Sequence, residues 1–391
     1  MLQEVSAVAG LAIVTAFYAE KRMNQRARKR LRHVVHVNGT RGKSTVCRLI
    51  DAGLRAGGWR VMTKTTGTAA RLLHVDGTET PVIRRGNPSI REQGEVLRRA
   101  VREEAQVLVV ECMAIKPELQ HVSQRDLLMA DIGVMTNVRH DHVHEMGGSL
   151  QKAAEAMASV IPWNGAFFAG DIDGYPCFQQ ICSRRNTHFQ QANHVERQRT
   201  APCEEEDALA GEMMENVDLA LSVCHHLGVP PAAALKGMRQ YRKDPGAFTT
   251  EIRRNQKGAA LRIFNMLAVN DPDSMSRLLE HHGLNEFFEN QPGIFILTGR
   301  QDRVQRLQNL LEWTVDKEHL IHELWVEGHG SWLVQRLHRR AGGVPGKLNV
   351  ITGFNRLNQI MDNCSIVCFG NTCGSGEKLT RSIEGMEKIH E

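Results

Sequence analysis

Residues 34–45 read VVHVNGTRGKST, and this stretch decides the fold. The apolar residues Val34–Val37 predict a buried strand, and the periodicity of Ser44–Ala56 predicts the helix that follows. In the turn between them, backbone N–H groups and the helix N-terminus can bind phosphate oxygens. Lys43 is placed to neutralise the β- and γ-phosphates, and the Ser44 hydroxyl to ligate Mg²⁺. Since Val37 stands where the longer G-x-x-x-x-G-K-[ST] pattern has its first glycine, we interpret the stretch as the shorter G-T-x-G-K-[ST] loop.

A carboxylate follows one of the other buried strands. Apolar runs and helical periodicity predict strands over Val107–Val110, Ile132–Thr136 and Ala166–Ala169 and helices over Gln93–Glu104 and Leu150–Val160. This alternation is typical of βαβ units in a parallel sheet. Glu111 comes directly after the first of these strands, beside the expected phosphate-binding loop. We therefore interpret Glu111 as a ligand of Mg²⁺, held directly or through water.

Alternating histidines follow the strand Ile132–Thr136. His140, His142 and His144 could form a zinc site of the hydrolase type. A zinc hydrolase would leave the phosphate-binding loop and Glu111 without a role. An ATP site in which one imidazole contacts a divalent ion, with Asp141 beside it, uses all three segments, and we favour this interpretation.

The charge of the chain is concentrated near its N-terminus. The 391 residues include 49 Lys and Arg and 44 Asp and Glu, a formal net charge of +5. Seven basic residues without an intervening acid form what we call the basic collar: Lys21, Arg22, Arg26, Arg28, Lys29, Arg30 and Arg32. The rest of the chain carries a formal charge of −2. This distribution argues against a nucleic-acid partner, because such proteins carry a basic face across a folded domain.

An uncharged run, Val5–Ala19, precedes the basic collar. It is shorter than the roughly 20 apolar residues that a membrane span requires. One interpretation is a membrane anchor or interfacial helix with the collar on the cytoplasmic side. The other is a helix that packs on the body of the protein or on a partner subunit.

A second alternating pattern begins after the turn Asp244-Pro245-Gly246. It predicts strands over Leu261–Phe264, Ile294–Leu297, Glu323–Val326 and Ser365–Phe369 and helices over Arg303–Trp313 and Glu377–His390. The polar stretch Arg184–Asp207 is expected to form a surface loop or an edge of the first half. We therefore expect an N-terminal segment over residues 1–30, a central ATP-binding domain over 31–245, and a smaller Rossmann-like domain over 246–391.

The motifs together resemble the Mur-ligase superfamily and, within it, the ligase subunits of poly-γ-glutamate synthases of the PgsB and CapB type. The resemblance rests on Gly39–Thr45, Lys64–Arg71, Glu111–Ala114, Asn137 with Asp141-His142 and Met146-Gly147, Asp244–Gly246, Ala268–Pro272, Arg300–Arg303 and Phe369–Asn371. It covers nearly the whole chain, and the N-terminal motifs are the more specific ones.

The resemblance implies an ATP-dependent amide ligase that forms an acyl phosphate, polymerises glutamate into poly-γ-glutamate and releases ADP and phosphate. It implies a phosphate-loop α/β domain followed by a Rossmann-like α/β domain, with ATP and Mg²⁺ or Mn²⁺ as cofactors. The expected partners are glutamate, the growing polymer and membrane subunits of a synthase at the cytoplasmic face of the membrane, with homo-oligomerisation left open. Two alternatives remain: a related ligase that adds an amino acid to a small folate-type or peptidoglycan precursor, and a non-catalytic ATP-binding scaffold.

Site residues follow from the same resemblance. Nucleotide contacts are expected from Gly39, Thr40, Arg41, Gly42, Lys43, Ser44, Thr45, Asn270 and Arg300; catalysis from Lys43, Glu111 and His142; and metal ligation from Ser44, Glu111 and His142. A polyanionic product favours arginine forks as substrate ligands, and Arg71, Arg84 and Arg85 are the candidates. The alternative for these three residues is that they are solvated loop arginines.

One departure from the superfamily concerns a second metal site. Many Mur ligases carry a carbamylated lysine beyond the motif histidine, but residues 154–159 read AEAMAS here, and Lys152 lies off that spacing. We therefore assign no carbamate.

Overall fold

The computed structural model describes residues 15, 17–67, 70–84, 86, 88–139, 145–172, 174–192, 209, 213–244 and 247–389. The chain divides into two compact units, Met1–Lys243 and Asp244–Glu391. The predicted turn Pro245-Gly246 lies outside the described residues.

The first unit is built on an eight-stranded sheet in the order β4-β3-β2-β5-β1-β6-β7-β8. Its strands are β1 (His33–Asn38), β2 (Val61–Thr65), β3 (Arg71–Leu73), β4 (Glu79–Pro81), β5 (Val107–Glu111), β6 (Ile132–Asn137), β7 (Ala166–Asp171) and β8 (His188–Gln191). Strands β3 and β4 form an antiparallel extension at one edge, while the other pairs are parallel. The central parallel strands β1, β2, β5 and β6 are almost entirely buried because helices cover both faces of the sheet.

Helices enclose this sheet on two sides. They are α1 (residues 17–28), α2 (Lys43–Ala56), α3 (Arg91–Arg102), α4 (Pro117–Val122), α5 (Leu150–Met157), α6 (Cys177–Arg184), α7 (Met214–His226) and α8 (Pro231–Met238). Val35 and Val37 of β1 pack in the core that contains α2, α7 and α8. Val34, on the opposite face of the same strand, packs in the core with α3 and with Ala27 of α1.

The second unit has a seven-stranded sheet in the order β13-β12-β11-β14-β10-β9-β15. Its strands are β9 (Thr249–Arg254), β10 (Ala260–Met266), β11 (Gly293–Thr298), β12 (Ile321–Glu327), β13 (Leu348–Val350), β14 (Cys364–Phe369) and β15 (Glu387–Ile389), and its helices are α9 (Pro272–His281), α10 (Leu284–Asn290), α11 (Val304–Asp316), α12 (Ser331–Arg340) and α13 (Ser375–Glu384). The strands β10 to β14 are parallel, whereas β9 and β15 pair antiparallel.

The predicted strands are confirmed, and so are the predicted helices except at the C-terminus. The helix predicted over Glu377–His390 is wrong beyond Glu384. Gly385 ends that helix, and the chain then turns back so that β15 pairs with the open edge of β9. In the stretch Arg184–Asp207, β8 forms an edge of the sheet as expected, and residues 193–207 lie outside the described residues.

The apolar run Val5–Ala19 lies largely outside the described residues. Among the helices that are described, none combines the length and the apolarity needed to cross a membrane. The basic collar that follows begins in α1, and α1 packs on the body through the buried side chains of Asn24 and Ala27.

Candidate active site

The four central strands bring the predicted loop and Glu111 to one edge of the first sheet. Strands β1, β2, β5 and β6 are parallel, so their carboxyl ends lie together. This edge carries the phosphate-binding loop after β1, Thr66 after β2, Glu111 at the end of β5 and Asn137 at the end of β6. Ligands of open parallel sheets bind at such an edge.

Two glycines shape the loop because a side chain would not fit at either position. Gly39 has φ +132°, and a Cβ there would overlap the side chain of Thr136 and approach its backbone nitrogen at 3.0 Å. Gly42 has φ +79°, and its Cβ would lie 2.7 Å from the Asn216 Oδ1 atom. Both values of φ lie in the region that favours glycine.

We expect Gly39→Ala to destabilise the protein by about 1–3 kcal/mol and to abolish nucleotide binding, since the loop must move away from Thr136. Thermal unfolding and titration with a fluorescent ATP analogue measure the two effects. The matched control is Gly58→Ala, because Gly58 has φ +83° but open space around its Cβ position. Equal affinity of the Gly39 and Gly58 variants for the nucleotide would contradict this interpretation of the loop.

Strand β6 holds the loop in place through two side chains. The Arg41 backbone N–H donates to Asn137 Oδ1 at 3.0 Å, and Asn137 Nδ2 donates to the Arg41 carbonyl at 3.1 Å. Thr136 Oγ1 also donates to that carbonyl, at 2.5 Å. The buried Thr40 is fixed by its backbone bond to the Asn137 carbonyl at 3.0 Å. Sequence reasoning included Asn137 in a motif but did not recognise that it positions the loop.

Lys43 and the N-terminus of α2 supply positive charge at the loop. Lys43 Nζ donates to the carbonyl oxygens of Gly39 at 2.7 Å and Thr40 at 3.0 Å, so the ammonium lies over the loop itself. Helix α2, whose first turn includes Ser44 and Thr45, has no capping side chain and no acidic residue there. Its first N–H groups and its dipole therefore favour an anion.

Ser44 and Glu111, two of the predicted metal ligands, meet at this edge. Ser44 Oγ donates to Glu111 Oε2 at 2.8 Å, and the Thr66 backbone N–H donates to the same oxygen at 2.6 Å. A hydroxyl and a carboxylate are oxygen ligands that suit Mg²⁺, which usually completes its shell with water and substrate phosphates. The donor set therefore fits a divalent ion bound with the nucleotide.

His142, the third predicted metal ligand, lies with His140, Asp141 and His144 outside the described residues. Within the described part of the chain, no group of three or more His, Cys, Asp or Glu side chains could hold a metal ion. The role of His142 thus stays a prediction.

A buried cation beside Glu111 was not assigned from the sequence. The Lys64 side chain, at the end of β2, is fully buried and donates to Glu92 Oε2 at 3.0 Å. Burial lowers the pKa of Lys64 below its usual range, and the charge of Glu92 opposes that shift. Burial would raise the pKa of Glu92, but Arg84 and Lys64 outweigh it and lower that pKa to about 2. The two side chains therefore form a buried ion pair next to the candidate site.

Two of the predicted substrate arginines, Arg71 and Arg84, face carboxylates within the protein. Arg84 forms a two-bond contact with Glu92, at 2.7 and 3.1 Å. Arg71 opens β3 opposite Thr65 of β2 and lies 3.9 Å from Glu79, which in turn accepts two bonds from the buried Arg48. Arg85 lies outside the described residues. A substrate role for Arg71, Arg84 and Arg85 remains a prediction.

Asn270 and Arg300, the predicted nucleotide contacts of the second half, belong to the second unit. Asn270 follows β10 and precedes α9, and Arg300 follows β11. Arg300 is partly exposed and donates two bonds to Asp302, at 2.9 and 2.8 Å. These bonds lower the pKa of the Asp302 carboxyl below its usual range.

Two family models match the chain. Residues 37–164 match the Mur ligase middle domain, and residues 250–386 match the poly-gamma-glutamate synthase CapB C-terminal domain. The fold and the loop thus define a phosphate-loop protein of the Mur-ligase class.

Two relatives are similar to the chain, and the first of them establishes the family. The chain is 32% identical to PGA synthase CapB of Bacillus subtilis (strain 168) in an alignment of 398 positions, which covers 98% of this chain and 97% of that protein. It is 34% identical to the capsule biosynthesis protein CapB of Bacillus anthracis over 295 residues, which cover 74% of this chain and 62% of that protein's length. The chain belongs to the CapB poly-γ-glutamate synthase family. This confirms the predicted family and, with it, the predicted enzyme class, an ATP-dependent ligase.

Solved structures share the fold. A bifunctional folylpolyglutamate synthase/dihydrofolate synthase from Yersinia pestis, complexed with AMPPNP and Mn ion, superposes with a TM-score of 0.66 at 13% identity and covers 94% of this chain and 93% of its own. MurF from Acinetobacter baumannii gives a TM-score of 0.64 at 12% identity and covers 94% and 80%. The predicted fold class, a phosphate-loop α/β domain followed by a Rossmann-like domain, is confirmed.

Proposed function

We propose that this enzyme polymerises glutamate into poly-γ-glutamate with ATP, releasing ADP and phosphate. The observation that carries the proposal is the intact phosphate-binding loop, with Ser44 and Glu111 in contact, in a chain that aligns over 98% of its length with a PGA synthase.

Activation of a carboxylate brings two anions together, so the site must screen their repulsion. A carboxylate oxygen of the acceptor attacks the γ-phosphorus, the bond to the β,γ-bridging oxygen breaks, and ADP leaves. The amino nitrogen of the incoming glutamate then attacks the carbonyl of the acyl phosphate, phosphate leaves with the C–O electron pair, and the nitrogen loses a proton. Lys43 and the N-terminus of α2 stabilise the negative charge that develops on the transferred phosphoryl group.

A divalent ion, Mg²⁺ or Mn²⁺, neutralises phosphate charge when it is bound. Ser44, Glu111 and His142 are the residues that would hold it. The oxygen donors of Ser44 and Glu111, 2.8 Å apart, support this assignment. Gly39, Thr40, Arg41, Gly42 and Thr45 complete the phosphate cradle.

Contacts to the rest of the nucleotide and to the polymer come from residues outside the loop. Asn270 and Arg300 of the second unit contact the nucleotide in this proposal. Arg71 is the substrate candidate with the weaker internal contact, since its Nε lies 3.9 Å from Glu79 whereas Arg84 forms two short bonds to Glu92. Carboxylates of glutamate match the arginine fork.

The enzyme acts at the cytoplasmic face of the membrane beside membrane subunits of a synthase. The apolar run Val5–Ala19 supports this location, because such a segment suits a membrane interface or an apolar partner.

The test is ADP release by the purified full-length chain with its partner subunits, ATP and Mg²⁺. We expect release to require both glutamate and the divalent ion, and the product to be γ-linked polyglutamate by mass spectrometry. A panel of other amino acids and of folate-type or peptidoglycan acceptors is the control. Faster release with a member of that panel, or ATP binding without glutamate-dependent release, would refute the proposal.

A further inference from the structure

A second group of cations lies at the opposite edge of the first sheet. Arg32 and Arg60 directly precede β1 and β2, as the neutral Gln106 precedes β5. The two arginines therefore lie at the amino ends of strands that carry the active site at their carboxyl ends. Strand β1 has six residues, which at about 3.3 Å per residue separates the two edges by about 20 Å. These cations are therefore not part of the site described above.

The cations line an open cavity of about 380 Å³ together with Arg30 and Glu104. This volume is typical of a small-ligand site. Glu104 is the sole acidic residue of its lining. Three guanidinium groups against one carboxylate give the cavity a net positive charge.

The arginines of this cavity have guanidinium N–H donors that are available to a ligand. Arg30 has no side-chain partner among the described residues, and Arg32 stacks over Trp59 at 5.9 Å. Arg60 lies 3.4 Å from Glu104, but both side chains are more than half exposed, so the pair is weak. The guanidinium groups can therefore turn to an external oxyanion.

The backbone beneath the cavity is fixed. The Arg32 N–H donates to the Gln106 carbonyl at 2.9 Å, and the Gln106 N–H donates to the Arg60 carbonyl at 2.8 Å. The Arg60 N–H donates to the Gln106 side chain at 3.0 Å. A fixed frame lowers the cost of ordering the site when a ligand binds.

The positive surface continues along α1. Arg22, Arg26 and Arg30 recur every four residues and are exposed, as is Lys29. Their helix face points outward because Asn24 and Ala27 are buried on the other side and Lys21 and Arg28 bind Asp126 and Asp131 at 3.2 and 2.7 Å. From Arg22 to Arg26 the helical rise is about 6 Å, and Lys29 and Arg30 follow in the turn after α1. We call the cavity and this helix face together the basic track.

We propose that the basic track binds a stretch of the polyanionic product, with successive free α-carboxylates on Arg30, Arg32, Arg60 and the outer face of α1. This inference rests on the proposed function. The track is longer than a compact anion such as pyrophosphate, and a γ-linked chain presents one carboxylate per residue along its length. Arginine forks match those carboxylates. The product is thereby held on the enzyme between additions, away from the reacting end.

The experiment measures binding of a fluorescent γ-linked glutamate decamer to the full-length protein without ATP. We expect the triple variant R30A/R32A/R60A to raise the Kd about tenfold, since each exposed contact contributes modestly, and to weaken its salt dependence. The matched control R336A/R339A/R340A removes three exposed arginines from α12 of the second unit and should leave the Kd unchanged. Equal thermal unfolding midpoints show that the variants are folded.

Three results would overturn the inference. One is an equal loss of decamer binding in both triple variants, which would indicate unspecific attraction. Another is that pyrophosphate binds more tightly than the decamer and that the triple variant R30A/R32A/R60A weakens this pyrophosphate binding. The third is that the triple variant leaves decamer binding unchanged but weakens binding to phosphatidylglycerol vesicles or to a single-stranded oligonucleotide. Since the assay needs no turnover, a failure of the ligase activity would be seen separately in the ADP-release test.

Discussion

Lys43→Ala should reduce glutamate-dependent ADP release by about 10²–10³-fold, the loss expected when a preorganised positive group is removed from a developing anion. The structure suggests that this loss is not due to unfolding. The Lys43 ammonium is bonded to two backbone carbonyls of the loop, and among the described residues it has no carboxylate partner that its removal would strand. We therefore expect the thermal unfolding midpoint to stay close to that of the native protein.

The matched control is Lys236→Ala, which removes an exposed lysine from α8 in the same unit. ADP release at saturating ATP and glutamate, followed by a coupled assay, distinguishes the two variants. If the Lys43 variant turned over at a rate comparable to the Lys236 variant, Lys43 would not be the group that stabilises the transferred phosphate. The loop would then not provide the catalytic charge, even though the fold is that of the family.

The sequence was sufficient to predict the parts of the candidate site whose residues lie close together in the chain. The loop, its strand and its helix lie within residues 33–56, and each signal there is local: an apolar run, two glycines and a periodic helix. Glu111 could be predicted because it ends a buried strand, and parallel strands end at a common edge. The contact between Ser44 and Glu111 follows from that topology.

The side-chain contacts that hold the site in place could not be predicted, because they join residues that are distant in the sequence. Asn137 holds Arg41 across 96 positions, and a lone asparagine after a strand gives no signal of its partner. Lys64 belongs to a residue type that is normally exposed, yet its side chain is buried in β2, and the position of Glu92 explains this burial. The basic collar shows the same limit, since Lys21 pairs with an aspartate 105 positions away.

The second large effect, a loss of stability, is expected when the Lys64–Glu92 ion pair is broken. We expect Glu92→Gln to lower the free energy of unfolding at neutral pH by about 3–5 kcal/mol, because it leaves a buried ammonium without its carboxylate. The matched control is Glu95→Gln, which makes the same chemical change one turn along α3 at an exposed position. Surface changes of this kind usually alter stability by less than about 0.5 kcal/mol.

The pH dependence identifies the cause of that loss. Burial lowers the pKa of Lys64, and the variant lacks the carboxylate that opposed this shift. Consider the pH range between the lowered pKa of Lys64 in the folded variant and the usual lysine value of about 10.4. In this range Lys64 holds a proton in the unfolded variant but has released it in the folded variant. Stability therefore rises with pH in that range. We expect the difference between the variant and the native protein to shrink as the pH rises from neutral toward that value.

The difference should also shrink in acid. Glu92 has a pKa of about 2 in the folded protein, against about 4.3 when unfolded. Its contribution is present above the unfolded pKa and is lost as the pH falls through the folded one. Urea unfolding of both proteins across this whole pH range measures the two slopes. A constant difference at every pH would mean that lost packing, and not the stranded charge of Lys64, destabilises the variant.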